Sequence, residues 1–156
     1  MIEETSVAAL GRLPSGLFIV TVRNGEAETG MLASWVQQCS FEPPQITMAL
    51  KQGRPIDEWL TIGSSFVVNI IGEGQTQFTR HFGKGFAPDE PAFEGLSVDR
   101  SASAPVLTDS LAFLDCQIVE RVSAGDHDLI VAKVVGGRML TEGKPIVHIR
   151  KSGAHY

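Results

Sequence analysis

The sequence is poor in the features that fix many small proteins. It has two cysteines in 156 residues, Cys39 and Cys116, far apart and without a partner at metal-ligand spacing. A disulfide framework and a zinc knuckle are therefore excluded, and both thiols are expected to be buried and reduced within apolar strands. No run approaches the roughly twenty apolar residues of a membrane-spanning helix. The opening Met1-Ile2-Glu3-Glu4-Thr5 lacks the basic and apolar regions of a signal peptide, which makes the cytoplasm the expected location. Basic residues are in deficit, 13 against 18 acidic for a net charge of −5, and they form no stripe. Nucleic-acid binding, which needs cations to neutralise phosphates, is not expected. Internal repeats, linkers and low-complexity segments are missing as well.

What remains is a soluble composition, 43% hydrophobic and 20% charged. The length suits one domain, residues 1–156, with a core that needs no cross-link. Residues 5–12 form a short helix capped by Thr5 or Ser6. Residues 17–23 are β-branched and aromatic, and Asn24-Gly25 marks a tight hairpin turn. The return strand runs from about Ala27 into Ala33. Further strands are expected at 46–50, at 65–71 (apolar on both faces and so central), at 112–122, at 129–139 and at 146–150. Leu114, Cys116 and Ile118 face one way. Gly136-Gly137 signals a bulge or a close backbone approach. Short helices are placed at 56–62 and 75–82, a surface loop at 83–91, and a polar tail at 151–156. Consecutive hairpins without strand-helix alternation predict a mainly β fold, an antiparallel barrel with a few short helices.

Several motifs lead nowhere. Gly72-Glu73-Gly74-Gln75-Thr76-Gln77 follows a strand and opens a helix, but Gln77 stands where a dinucleotide loop needs its third glycine, and Glu73 would face the pyrophosphate. Gly83-Lys84-Gly85 lacks the rest of a phosphate loop. The four histidines, His81, His127, His148 and His155, lack ligand spacing. Ser34 and Ser40 lack the flanking glycines of a nucleophile elbow.

The stretch 30–44 is the unusual one. It starts as a strand, yet from Leu32 to Ser40 it carries small residues, hydroxyls and amides where a core strand carries branched hydrophobes. That composition suits a backbone that a ligand approaches closely. Lys51 and Arg54 follow the next strand, Arg80-His81-Phe82-Gly83-Lys84 ends a helix, and His127 lies in the Gly125-Asp126-His127 turn.

Gly30-Met31-x-x-Ser34 with Ser40-Phe41-Glu42-Pro43-Pro44, Gly125-Asp126-His127 and Leu13-Pro14-Ser15-Gly16 together resemble the flavin reductase-like family with the FMN-binding split barrel. The likeness covers residues 7 to 156. Met31 to Val36, Arg54-Pro55-Ile56, His81-Phe82 and Arg150 to Tyr156 further resemble the C-terminal flavin reductase domain of the diflavin flavodiiron proteins. This chain carries neither a diiron ligand set nor a flavodoxin-like segment.

The resemblance implies an NAD(P)H-dependent flavin oxidoreductase, with FMN (FAD left open) as cofactor and NADH or NADPH as donor. It places Leu32, Ala33, Ser34 and Trp35 along the flavin ring, whose edge takes hydrogen bonds from backbone N–H groups. Gln38, Cys39 and Ser40 complete that segment. Ser40, Lys51 and Arg54 are assigned to the phosphate. His81 and Phe82 border the pocket, Phe82 as a lining residue. Trp35 either covers the ring or packs in a dimer. His127 is the candidate for orienting nicotinamide or donating to flavin. A homodimer is implied, as is the alternative of an electron-transfer module serving a fused or docked redox partner.

Overall fold

A computed structural model describes residues 2–156, so Met1 of the acidic opening lies outside it. Its strands are β1 (Phe18–Asn24), β2 (Ala27–Ala33), β3 (Val36–Ser40), β4 (Gln45–Lys51), β5 (Ser65–Ile70), β6 (Val98–Asp99), β7 (Val106–Leu107), β8 (Ala112–Ala124) and β9 (His127–Met139). Two helices, α1 (Glu4–Leu10) and α2 (Thr76–Gly83), complete the fold. Seven strands pair in one antiparallel sheet of order β2-β1-β5-β8-β9-β4-β3, and β6 pairs with β7.

The order explains the shape. β2 and β3 lie at opposite edges of the sheet, yet only Ser34 and Trp35 separate them in the chain. A two-residue link cannot span an open seven-stranded sheet, whose strands stand about 4.8 Å apart. The sheet must therefore curl until its edges meet at residue 34, as a split antiparallel β-barrel. The Ala49 N–H donates to the Trp35 carbonyl (3.0 Å), which ties the corner to β4.

Both expected hairpins form, with the same turn. Gly25-Glu26 and Gly125-Asp126 are two-residue loops in which only the glycine has positive φ, +62° and +67°. Glycine in the first central place is the signature of a type II′ turn, whose twist matches its strands. The first turn thus lies one residue beyond Asn24-Gly25, and His127 opens β9 rather than sitting in the loop.

Alternation on β1 and β5 places Val20, Val22, Phe66 and Val68 inside the barrel with Met48, Leu50, Cys116, Ile118 and Ile130. The opposite faces are covered too: Ile19 by Phe78 and Phe82 of α2, and Val67 by Ala104 and Val106. Asn69 pins that outer layer, donating to the Ile19 carbonyl (3.0 Å) and accepting from the Leu107 N–H (2.8 Å). Gly136 borders the bulge, where Val135 is the extra residue between the Asp115–Gly136 and Cys116–Val134 pairs, and at Gly137 a Cβ would run into the Phe113 carbonyl.

Some expectations fail. Residues 36–40, where no strand is expected, form one. The expected helix at 56–62 is a single 3-10 turn, Asp57–Trp59. Residues 146–150 form no strand, only a bridge from His148 to Ser15. Helix α1 starts without a side-chain cap. Cys39 is exposed, because edge strand β3 has little covering it. Cys116 is buried as expected, and burial followed by the Asp115 charge pushes its thiol up to about 12.

Candidate functional site

The barrel's split opens beside the Ser34–Trp35 link as a cleft of about 390 Å³, within the range of small-molecule sites. Residues 31–35 form one wall. Ala49, Lys51 and Arg54 form the second, from the end of β4 and its loop. Thr79, Phe82 and Gly83-Lys84-Gly85 form the third, at the end of α2.

Local sequence explains each wall. As an edge strand, β2 pairs on one side only, so alternate N–H groups at its end are free to face a ligand. Gly30 has no side chain because the Phe82 ring packs against it; a Cβ there would stand 3.0 Å from that ring. Phe78 and Phe82, four residues apart on α2, face the barrel together and set the helix over β2. Gln75 turns back instead of capping α2: it accepts from the Gly72 N–H (2.7 Å) and donates to the Asp109 carbonyl (2.6 Å). The Gly72 and Gln75 N–H groups of the false dinucleotide loop are used within the turn, and the Glu73 N–H donates to the Lys144 carbonyl (2.8 Å).

The electrostatics run against the chain as a whole. Lys51, Arg54 and Lys84 line the cleft, and no carboxylate side chain does. Among the described residues none of the three makes an ion pair or a side-chain hydrogen bond. Three unpaired cations in a chain of charge −5 leave a positive mouth over an apolar floor.

Of the expected residues, the cleft brings together Leu32, Ala33, Ser34, Trp35, Lys51, Arg54 and Phe82. Gln38, Cys39 and Ser40 lie elsewhere, running away along exposed β3. Ser40 is four residues beyond Val36, roughly 13 Å of strand. His81 also turns away, donating from Nε2 to the Ala92 carbonyl (2.7 Å) and so holding the loop after α2.

His127 is buried in an adjoining cavity of about 290 Å³, which shares Trp35, Lys51 and Tyr156 with the cleft. Its Nδ1 lies 2.7 Å from Asp126 Oδ1, and this hydrogen bond holds the Asp126 carboxyl below its ordinary value. An ionised carboxylate only accepts, so Nδ1 carries a hydrogen. In the neutral ring Nε2 then accepts from the Tyr156 hydroxyl (2.5 Å). Trp35, His127 and Tyr156 form an aromatic cluster with ring centroids 4.9 to 5.9 Å apart. Arg150 stacks over Trp35 (5.0 Å) and Arg54 over Tyr156 (5.7 Å).

Lys84, Arg150 and Tyr156 are absent from the expected site. Lys84 had a signal, its place at the end of the helix that carries Phe82. Arg150 and Tyr156 had only their place in the ending that resembles the family's, since a polar tail shows no periodicity that reports where it folds.

A split barrel with an apolar cleft under a cationic mouth defines a class of small-molecule binding domain, one suited to a planar ring that bears an anionic arm. The chain belongs to the flavin reductase like domain family, whose profile matches residues 10–154. Diflavin flavoprotein A 1 of Synechocystis sp. (strain ATCC 27184 / PCC 6803 / Kazusa) is 40% identical over 151 residues, covering 95% of this chain and 26% of that protein. Putative diflavin flavoprotein A 3 of Nostoc sp. (strain PCC 7120 / SAG 25.82 / UTEX 2576) is 42% identical, with the same coverage. The chain therefore spans about a quarter of the length of these relatives. Among solved structures, the styrene monooxygenase flavin reductase of Pseudomonas putida S12 is similar at 27% identity and TM-score 0.77, covering 91% of this chain and 90% of that one. The NADH:FAD oxidoreductase SgcE6 of Streptomyces globisporus C-1027 shares the fold, with TM-score 0.82 at 23% identity, over 94% of this chain and 86% of that one.

Proposed function

We propose that the chain binds FMN in the cleft at the barrel's split and acts as an NAD(P)H:flavin oxidoreductase. The observation that carries this reading is the cleft itself: an apolar floor beside a bare strand edge, under three cations without an ion-pair partner and with no carboxylate side chain in its lining. The residues present fit the group. Residues 32–35 offer backbone N–H groups to the ring edge, Phe82 and Trp35 cover its faces, and Lys51, Arg54 and Lys84 meet the phosphate. Bound flavin supplies the hydride-accepting chemistry, and the protein orients the ring and keeps water from it. His127 orients the nicotinamide once Tyr156 leaves Nε2. Reduced nicotinamide nucleotides make the cytoplasm the compartment that suits this activity.

Gln38, Cys39 and Ser40 do not reach the cleft of their own chain, and Phe41 beside them is 88% exposed. Exposed Val119, Val122, Val135 and Met139 lie on β8 and β9. We assign these surfaces to a homodimer, in which β3 faces the second copy. Light scattering that finds only monomer with bound FMN removes that assignment.

A second reading is favoured by the length of the relatives, of which this chain covers 26%. In it the domain holds FMN and passes electrons to a fused or docked partner. A visible spectrum after FMN addition, followed by anaerobic NADH or NADPH, separates the readings. A yellow protein that bleaches is expected. One that stays oxidised supports the electron-transfer module, and a chain that binds neither FMN nor FAD overturns both.

A further inference from the structure

Arg121 lies on β8, outside the cleft, and four hydrogen bonds hold its guanidinium. Nε donates to Asp128 Oδ2 (2.9 Å), and one terminal nitrogen donates to Asp57 Oδ1 and forms an ion pair with Asp128 Oδ2 (2.7 Å). The other donates to the carbonyls of Asp57 (3.1 Å) and Leu60 (2.8 Å). The two carboxylates carry the network into one loop. The Gly53 N–H donates to Asp57 Oδ2 (3.1 Å), and Gln52 Nε2 donates to Asp128 Oδ1 (2.9 Å). The Gln52 N–H also donates to the Asp126 carbonyl (3.1 Å).

The pinned loop is the one that presents Arg54. Its backbone is held at Gln52, at Gly53 and at Asp57, on both sides of Arg54. The Arg54 guanidinium itself makes no side-chain hydrogen bond or ion pair among the described residues. A long cationic side chain on a loose loop gives up much entropy when it grips an anion; one on a fixed loop gives up less. A shared guanidinium between two carboxylates is weak as a device for stability. It is strong as a device for geometry, because the planar fork fixes both partners at once.

We propose that Arg121 is a positioning residue for phosphate recognition: it locks the 52–57 loop so that Arg54 faces the cleft, and thereby sets the preference for FMN over riboflavin. The inference rests on the flavin reading above.

Flavin fluorescence quenching on the full chain tests it, with FMN and riboflavin as paired probes. Arg54→Ala is expected to weaken FMN about tenfold and riboflavin less than about twofold, as loss of one charge-assisted bond requires. Arg121→Gln is expected to weaken FMN about fivefold with riboflavin again nearly unchanged, and to add nothing further in the Arg54→Ala background. Gln52→Ala, at an exposed tie, is expected to shift the FMN preference in the same direction by a smaller factor, so the idea stays testable if Arg121→Gln folds poorly. Equal weakening of both flavins by Arg121→Gln and by Gln52→Ala overturns the proposal, as does no change in either. If Arg54→Ala fails to separate the two probes, the phosphate reading itself falls and takes the role of Arg121 with it.

Discussion

The barrel has two unlike walls. Along β1 and β5 both faces of the sheet are covered: Val20 and Phe66 face the interior, Ile19 and Val67 the outer layer, and Asn69 satisfies the backbone of both layers. At the corner where β2 passes into β3, side chains are half-buried, the strand edge is bare, and the cations that face the cleft are unpaired. In the first wall the buried polar side chains of Thr21 and Asn69 are matched within the chain. The second has groups waiting for a partner. Stability and recognition are thus separated in space, which lets a cleft of unmatched charge persist on a rigid frame.

The largest test of that separation is a pair of aromatic deletions. Phe66 is fully buried in the interior of the barrel. Phe66→Ala is expected to cost about 3–5 kcal/mol, a fall in Tm of roughly 6–20 °C. Trp35→Ala, at the corner, is expected to cost far less stability while weakening FMN at least about tenfold, since ring-face cover goes with it. Thermal melts and flavin titrations on both variants check this. Equal loss of Tm in the two would erase the distinction between the walls.

A smaller effect sharpens it within the corner. Lys84 is exposed and lines the cleft opposite Lys51 and Arg54. Lys84→Ala is expected to weaken FMN about three- to tenfold at low salt and progressively less at high salt, because screening acts on exposed charge. Tm is expected to stay within about 1 °C. An affinity loss that ignores salt would place Lys84 away from the phosphate.

The same division governs what the sequence reveals. Matched walls write periodic patterns. The run 65–71, apolar on both faces, announced a central strand, and β5 is central, between β1 and β8. Leu114, Cys116 and Ile118 announced an inward face, and Gly136-Gly137 announced a bulge or close approach, the bulge falling beside Gly136. Unmatched segments write no such pattern. Val36-Gln37-Gln38-Cys39-Ser40 is an edge strand exposed over most of its length, so its burial carries no alternation to detect. Val147 and Ile149 look like strand residues, but they are 68% and 56% exposed, and their segment makes isolated contacts, at His148 and at Ile146, rather than a ladder. Lys51 and Arg54 were legible because a strand end placed them near the small residues of β2. Tyr156 reaches the site across 29 residues from His127, a closure no local rule encodes. The chemical class of the proposed ligand is argued from charge and shape, while flavin as its proposed identity is argued from family likeness.

The smallest expected effect lies at Asp128, on β9 beside the end of β4. Its carboxyl is held below the ordinary value near 3.8, first by the Gln52 amide and then by Arg121. A carboxyl with a lowered folded-state pKa adds stability that is complete above its unfolded value and is lost as pH falls through the folded one. Asp128 therefore contributes nothing to the pH dependence of stability between pH 6 and 8, and contributes to acid unfolding below about pH 4. Asp128→Asn deletes the titration and keeps the shape. Its Tm is expected to be somewhat lower at pH 7, because a charge-assisted partner of Arg121 is gone, and the gap from the native protein is expected to narrow as pH falls toward 3. Asp99 and Asp126 are also held low, so the native melting curve will fall in acid whichever residue is changed. The difference between the two proteins is the informative quantity. A gap that stays constant from pH 7 to pH 3 would mean that the carboxylate charge does nothing for the network, and that Arg121 holds the 52–57 loop through the carbonyls of Asp57 and Leu60 and through Asp57 alone.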